Sequence, residues 1–319
     1  MAKICVIGGG KWGKNHINSL NSLGNLHGIV ETDINKINQL RSKYPNVQYF
    51  NNVDDAIKFK FDGFIVSTPA ETHYAIAKKI IESKQHILIE KPMTTKLEDA
   101  IELNNLAKSN NVNLMVGHLL LFHPAFRKIK DMIENDIIGE LQYMYSNRLN
   151  LGTIRTEENV LWSLAPHDIA LFQYFAKSTP IKVSSEGLDI VQPNIHDTTI
   201  TSIKYRNNVM GHIFVSWLHP FKEHRFVIIG SKGMIHFEDS IKDKPLIFYD
   251  KNIKWEESMP IPKNGSAESI EYEYSSPLTE ELKYFISSLD GTPINLANGD
   301  SGIEVMEILT KATEELLKK

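Results

Sequence analysis

The chain has 319 residues, roughly two domains' worth at about 150 residues each. Hydrophobic residues make up 42% and charged residues 23%, an ordinary globular balance that excludes a disordered, collagen-like or low-complexity protein. A formal net charge of -4 leaves no basic stripe for nucleic acid, and the single cysteine, Cys5, excludes a disulfide framework and a cysteine-based zinc site.

In chain order, the start MAKICVIGGG lacks the long apolar core of a secretory signal. Nowhere do about 18 uncharged apolar residues follow one another, so a cytoplasmic protein without a membrane partner is expected. Residues 3–8 form a short apolar run ending in glycine, as a strand buried on both faces does. Helical spacing follows over 12–23, with Trp12, His16, Leu20 and Leu23 on one face and Gly24 as the C-cap. Apolar runs at 27–31, 47–50, 62–66, 86–89 and 113–117 then alternate with helix-length segments at 34–43, 53–58, 71–83 and 95–109. Six strands joined by helical crossovers predict a doubly wound parallel sheet over residues 1–120, the architecture of a Rossmann dinucleotide-binding domain.

The turn after the first strand reads Gly8-Gly9-Gly10-Lys11-Trp12-Gly13, which fits G-x-G-x-x-G. Gly8 permits a tight turn, Gly10 lets the backbone approach a pyrophosphate, and Gly13 lets the helix sit close to the strand. Lys11 and Trp12 open the helix, whose first amides and dipole favour an anion. Glu31, 18 residues after Gly13, is the candidate partner for the adenosine ribose hydroxyls. No Lys or Arg lies at 32–35 to meet a 2′-phosphate, so NAD is favoured over NADP, and Asp33 reads as a helix N-cap. Ser67-Thr68-Pro69 ends the fourth strand beside the cofactor crevice, with His73 supporting that turn. Glu90-Lys91 ends the fifth. A lysine there is costly to bury but, partly desolvated, can move a proton near neutral pH.

In this order, the Gly8-x-Gly10-x-x-Gly13 turn, the Thr68-Pro69…His73 turn, Glu90-Lys91-Pro92 and the run HPAFRKIKDMIENDIIGELQYM over 123–144 resemble the Gfo/Idh/MocA family, the glucose–fructose oxidoreductase and inositol dehydrogenase relatives. The resemblance covers the whole chain. It implies a second, α+β domain over 121–319 with a large, mostly antiparallel open sheet. It also implies NAD(P)-linked oxidation or reduction of a sugar or polyol carbon, and a homo-oligomer, dimer or tetramer, packed through the open sheet face.

The second two-thirds of the chain fits that expectation independently. Segments near 139–150, 182–192, 198–206, 209–217, 224–230, 233–238 and 246–249 are strand-like, with tight turns at Arg206-Asn207-Asn208 and Ser231-Lys232-Gly233. Helical segments lie at 121–135, 165–177, 277–289 and 300–317. In Trp162-Ser163-Leu164-Ala165-Pro166-His167-Asp168, His167 matches the histidine of the family's Asp-x-Gly-x-His, on a helix that begins near Pro166. Ser163 stands where that motif has Asp, which leaves Lys91 and His167 as the expected proton-handling pair. Asp168 lies about 100° round the helix from His167 and either orients substrate or caps the helix.

A subset of the family oxidises C3 of UDP-N-acetylglucosamine or its uronic acid before amination, and the stretch Arg148–Trp162 running into Pro166-His167-Asp168 resembles that subset. Two of only six arginines, Arg148 and Arg155, fall here, and guanidinium forks suit a diphosphate. Asn150 and Asn159 can bond sugar or amide groups, and Trp162 offers an apolar face to a sugar or uracil ring. His118 and His123 flank the domain crossing, where each either touches substrate or has a core or capping role. The expectation is a metal-independent enzyme in which His167, assisted by Lys91, takes the C3 hydroxyl proton as hydride leaves, with an aminotransferase consuming the ketone. The alternatives are a dehydrogenase of a free polyol or sugar, such as inositol or glucose, and a non-catalytic NAD-binding regulator.

Overall fold

The computed structural model describes residues 2–318, in two compact units. The first holds the chain up to Phe122 together with Ser276–Met306; the second holds His123–Ser275 and the chain from Glu307 onward. A single division at 120/121 therefore does not describe the chain, because a C-terminal segment returns to the first unit.

That unit is built on six strands: β1 (Ile4–Ile7), β2 (Leu26–Val30), β3 (Gln48–Phe50), β4 (Gly63–Val66), β5 (His86–Ile89) and β6 (Leu114–Val116). All pair in parallel in the order β3-β2-β1-β4-β5-β6. Strand order reverses between β1 and β4, and this switch point opens a crevice at the carboxyl ends of the strands. β1 and β4 are buried along their whole length, so their sequences read as unbroken apolar runs rather than alternating ones. Helices α1 (Lys11–Ser22), α2 (Ile34–Lys43), α3 (Val53–Lys58), α4 (Ala70–Glu82) and α5 (Leu97–Asn110) form the crossovers. α1 buries Gly13, His16, Ile17 and Leu20, while Trp12 is 40% exposed. Trp12 thus leaves the face expected for it: once Gly13 abuts the first turn, its neighbour is rotated about 100° away. Gly24, at φ +75°, follows the C-cap Leu23 in the left-handed conformation that ends such helices.

After β6 comes a 3-10 turn (Leu119–Phe122). The second unit follows, with α6 (Pro124–Glu134), β7 (Leu141–Leu151), α7 (Val160–Ala176), β8 (Pro180–Leu188), β9 (Thr198–Tyr205), β10 (Met210–Ser216), β11 (Leu218–Gly230), β12 (Met234–Glu238), β13 (Leu246–Glu256) and β14 (Met259–Ser269). Its eight strands run in the order β14-β13-β12-β11-β7-β10-β9-β8, antiparallel throughout except for the β7–β10 pair. α7 lies on β7, β9 and β10. Two features depart from the sequence reading. β13 runs on to Glu256 and pairs with β14, a strand absent from that reading; most of the hairpin is exposed, so no one-sided apolar alternation marks it. α7 starts at Val160 and not near Pro166, because the Asn159 side chain caps it, its Oδ1 accepting from Trp162 N at 3.1 Å; Pro166 sits inside the helix.

The chain then re-enters the first unit as α8 (Pro277–Ser287), packed on α1 and on the 3-10 turn, before α9 (Gly299–Leu316). Between them, Val116 N donates to Ala297 O at 2.7 Å, which covers the free edge of β6. Among the described residues no helix is long and apolar enough to cross a membrane.

Candidate functional site

The β1–α1 turn has the geometry of an anion cradle. Gly8 adopts φ +97°, and a Cβ there would lie 2.8 Å from Ser67 O. At Gly13 a Cβ would lie 1.8 Å from Gly8 O, so the helix reaches the turn only because residue 13 has no side chain. At Gly10 a Cβ would meet nothing within 4 Å. Gly10 is also the N-cap of α1, without a side-chain cap and with no acid in the first turn. Amides and a positive helix end thus face open space, the arrangement a pyrophosphate requires. Lys11 and Trp12 are exposed at the same end.

Glu31, 8% exposed, is committed to backbone amides: Oε2 accepts from Gly9 N at 2.8 Å, and Oε1 from Thr32 N at 2.9 Å and Asp33 N at 3.1 Å. It ties the β1–α1 turn to the end of β2, and its remaining lone pairs are what it can offer a ribose. Asp33 caps α2 through Asn35 N and Lys36 N. Ser67 Oγ donates towards Ile7 O and Gly8 O, bracing the glycine turn from β4. Thr68 Oγ1 and Thr72 Oγ1 are 2.7 Å apart, and Pro69 caps α4. His73 is buried, with its ring nitrogens 2.9 Å from Thr68 O and 2.8 Å from Pro92 O. Burial lowers its pKa, against the two carbonyl contacts that raise it, and the ring spans the loops after β4 and β5.

At the end of β5, Glu90 Oε1 meets His16 Nε2 at 2.6 Å, and Oε2 accepts from Lys91 N at 3.2 Å. Burial pushes the Glu90 pKa up, but the His16 bond and charge, followed by Lys91, outweigh it and hold Glu90 below the usual carboxylate value. His118 is buried beside this group. Burial first, then the Lys91 charge, lowers its pKa to about 4. His16 escaped the sequence reading as a site residue; its one signal was a polar ring on the apolar face of α1.

In the second unit several of the expected substrate residues have partners within the fold. Asp168, 1% exposed, takes Arg148 Nε at 2.7 Å and Nη2 at 3.0 Å, a two-point bond joining α7 to β7. The Arg148 fork is therefore taken by Asp168, which lies inside α7 and not at its cap. His224 faces Arg148 in register, its pKa lowered to about 3 by burial and then by Arg148. Asn159 caps α7, and Trp162 Nε1 donates to Thr313 Oγ1 at 2.9 Å. Asn150 folds over Gly152, where a Cβ would lie 2.6 Å from its Oδ1. Arg155 is exposed, 3.9 Å from Glu158 Oε1. His123 caps α6, accepting from Ala125 N at 3.1 Å, so capping is the role the fold gives it. His167 sits within α7, one residue before Asp168.

Residues 2–118 match the family model described as an oxidoreductase family with an NAD-binding Rossmann fold, and residues 126–236 match that of the GFO/IDH/MocA C-terminal domain. The myo-inositol 2-dehydrogenase of Thermotoga maritima is 22% identical over 94% of this chain and 92% of its own. The UDP-N-acetylglucosamine 3-dehydrogenase of Acidithiobacillus ferrooxidans is 27% identical over 58% of each chain. A solved structure of an enzyme of that name and organism superposes with a TM-score of 0.87 at 20% identity, covering 99% of this chain and 97% of the other. The WlbA dehydrogenase of Bordetella pertussis, solved with NADH and UDP-GlcNAcA, superposes with a TM-score of 0.78 at 18% identity over 98% of this chain and 96% of its own.

Proposed function

From the premise that this chain belongs to the Gfo/Idh/MocA family of oxidoreductases, with an NAD-binding Rossmann domain, we propose that it oxidises a sugar hydroxyl, and that its substrate is C3 of UDP-N-acetylglucosamine or a close nucleotide sugar. One observation carries the redox half: an open, uncapped glycine cradle stands at the same carboxyl end of the sheet as Glu90-Lys91, where a largely buried carboxylate accepts from the lysine's amide at the end of β5. NAD, when bound, supplies the hydride acceptor. The amides of the 8–13 turn would hold its pyrophosphate, and the Ser67–Pro69 turn, which braces that cradle, would lie beside it. Lys91 and His167 handle the hydroxyl proton, an ammonium and an imidazole being the groups that can hold or pass it near neutral pH. Arg155, exposed and loosely held by Glu158, is the guanidinium left for a diphosphate.

A second reading, a free polyol as substrate, draws support from two observations. The Arg148 fork is already occupied by Asp168, and the inositol dehydrogenase relative aligns over nearly the whole chain. One experiment separates them. Purified protein and NAD+ are mixed with UDP-N-acetylglucosamine or with myo-inositol, and reduced nicotinamide is followed by absorbance, with and without an aminotransferase to draw off the ketone. The nucleotide sugar is expected to give the signal, and Arg155→Met to raise its KM about tenfold, as for the loss of one charge-assisted contact. A signal from myo-inositol alone establishes the second reading; silence from both sinks the sugar assignment.

A further inference from the structure

On α8, inside the NAD-binding unit, lies a carboxyl group that the proposed chemistry does not use. Glu281, on α8, is 1% exposed, and neither of its oxygens has a hydrogen-bond partner among the described residues. α8 packs on α1, which carries His16, and on the 3-10 turn that begins one residue after His118. Glu90 is close enough to act on Glu281 electrostatically, and Glu90 in turn holds His16 on one oxygen and the Lys91 amide on the other. Gly117 makes room for it, since a Cβ there would lie 3.1 Å from Glu90 Oε2. The titratable groups around Glu90 and on the elements packed against α8 are thus His16 on α1, Lys91 at the end of β5 and His118 ahead of the 3-10 turn, with Glu90 the one that acts on Glu281 directly.

Glu281 is buried without a partner and Glu90 is largely withdrawn from water, and two carboxyls that repel each other in such a place do not both ionise readily. Glu90 has two donors and a neighbouring cation to stabilise its charge; Glu281 has none. We propose that Glu281 is the proton-bearing member of a buried carboxyl pair with Glu90, and a positioning residue that, by staying neutral, keeps Glu90 the single anion that sets Lys91. The proposal rests on the role given to Lys91 above. Burial, then Glu90, raises the Glu281 pKa well above the carboxylate range, while that of Glu90 is lowered, which puts the proton on the same side.

Two measurements on the full-length protein decide it without any substrate. Infrared spectroscopy at neutral pH is expected to show the carbonyl stretch of a buried protonated carboxyl in the wild type and its loss in Glu281→Gln, an isosteric mimic of the neutral acid. Acetylation of Lys91 by acetic anhydride, followed by peptide mass spectrometry, is expected to run at the same rate in wild type and Glu281→Gln. It should run several-fold faster in Glu90→Gln, where the anion next to the ammonium in sequence, and bonded to the Lys91 amide, is gone. A carboxyl band unchanged in Glu281→Gln, or Lys91 acetylated as fast in Glu281→Gln as in Glu90→Gln, overturns the proposal. Stability gives a third readout with a definite sign. A group whose folded pKa is raised contributes stability below its unfolded pKa of about 4.3, and that contribution is lost as pH rises through the folded value. The melting temperature of Glu281→Gln relative to wild type therefore climbs as pH rises above about 4.3, and a flat difference counts as failure. If these signals appear while no sugar is turned over, the substrate assignment fails and the carboxyl pair stands.

Discussion

Asp168 and Arg148 show how one pair of side chains can tie a helix to a strand. Both are largely withdrawn from water, and the bond is two-pointed, so each charge depends on the other for its solvation. Asp168→Ala is expected to cost about 3–5 kcal/mol, read from urea unfolding, because it leaves a buried guanidinium unpaired. Replacing both partners by apolar residues of similar volume is expected to recover most of that loss. The glycine turn gives a paired prediction of a different kind. A methyl at Gly13 must displace the backbone carbonyl of Gly8, whereas a methyl at Gly10 meets no protein atom. Gly13→Ala is therefore expected to lower both thermal stability and NADH affinity. Gly10→Ala is expected to keep its melting temperature and lose about tenfold or more in NADH affinity by fluorescence titration, since the methyl occupies the space the pyrophosphate approaches.

Elements were legible in proportion to how local their cause is. β1, β4 and β5 follow from short apolar runs whose burial on both faces is a property of the segment itself, and α2 follows from Asp33 at its start. The start of α7 did not follow, because Pro166 suggested a first turn while the residue that opens the helix is Asn159, whose side chain bonds three positions ahead. The β13–β14 hairpin did not follow because, exposed over most of its length, it has no buried face to write into the sequence. The site was legible as motifs and not as partners. The cradle and the Glu90-Lys91 pair stand in consecutive residues, but His16 meets Glu90 across 74 positions, and Glu281 comes from the far end of the chain. No local pattern announces such a contact. The cap itself is testable. Asn159→Ala removes the one side-chain acceptor at the start of α7 and is expected to cost about 1 kcal/mol, whereas Asn159→Asp or Asn159→Ser, each able to accept the same bond, is expected to cost less in the same urea titration.

At the scale of the whole molecule the informative fact is that the chain finishes its first unit last. Leu282 and Phe285 of α8 are fully buried, Phe285 and Leu289 lie against Gly63 where a Cβ would fall about 3 Å from them, and Ala297 supplies the acceptor that the outer edge of β6 would otherwise lack. Without that return, a face of the parallel sheet that needs a helix would be open to water, and β6 would present an unpaired edge, the template for aggregation. A chain ending at residue 275 keeps every motif named in the cradle, so a reading from motifs alone assigns it full NADH affinity. The fold assigns it the opposite. The truncated protein is expected to lose its cooperative thermal transition and its NADH-induced stabilisation, and to aggregate at concentrations where the full chain stays monodisperse by light scattering. Retention of both the transition and the NADH shift in the truncated chain would show that α8 is an accessory to the NAD-binding unit and not a part of its core.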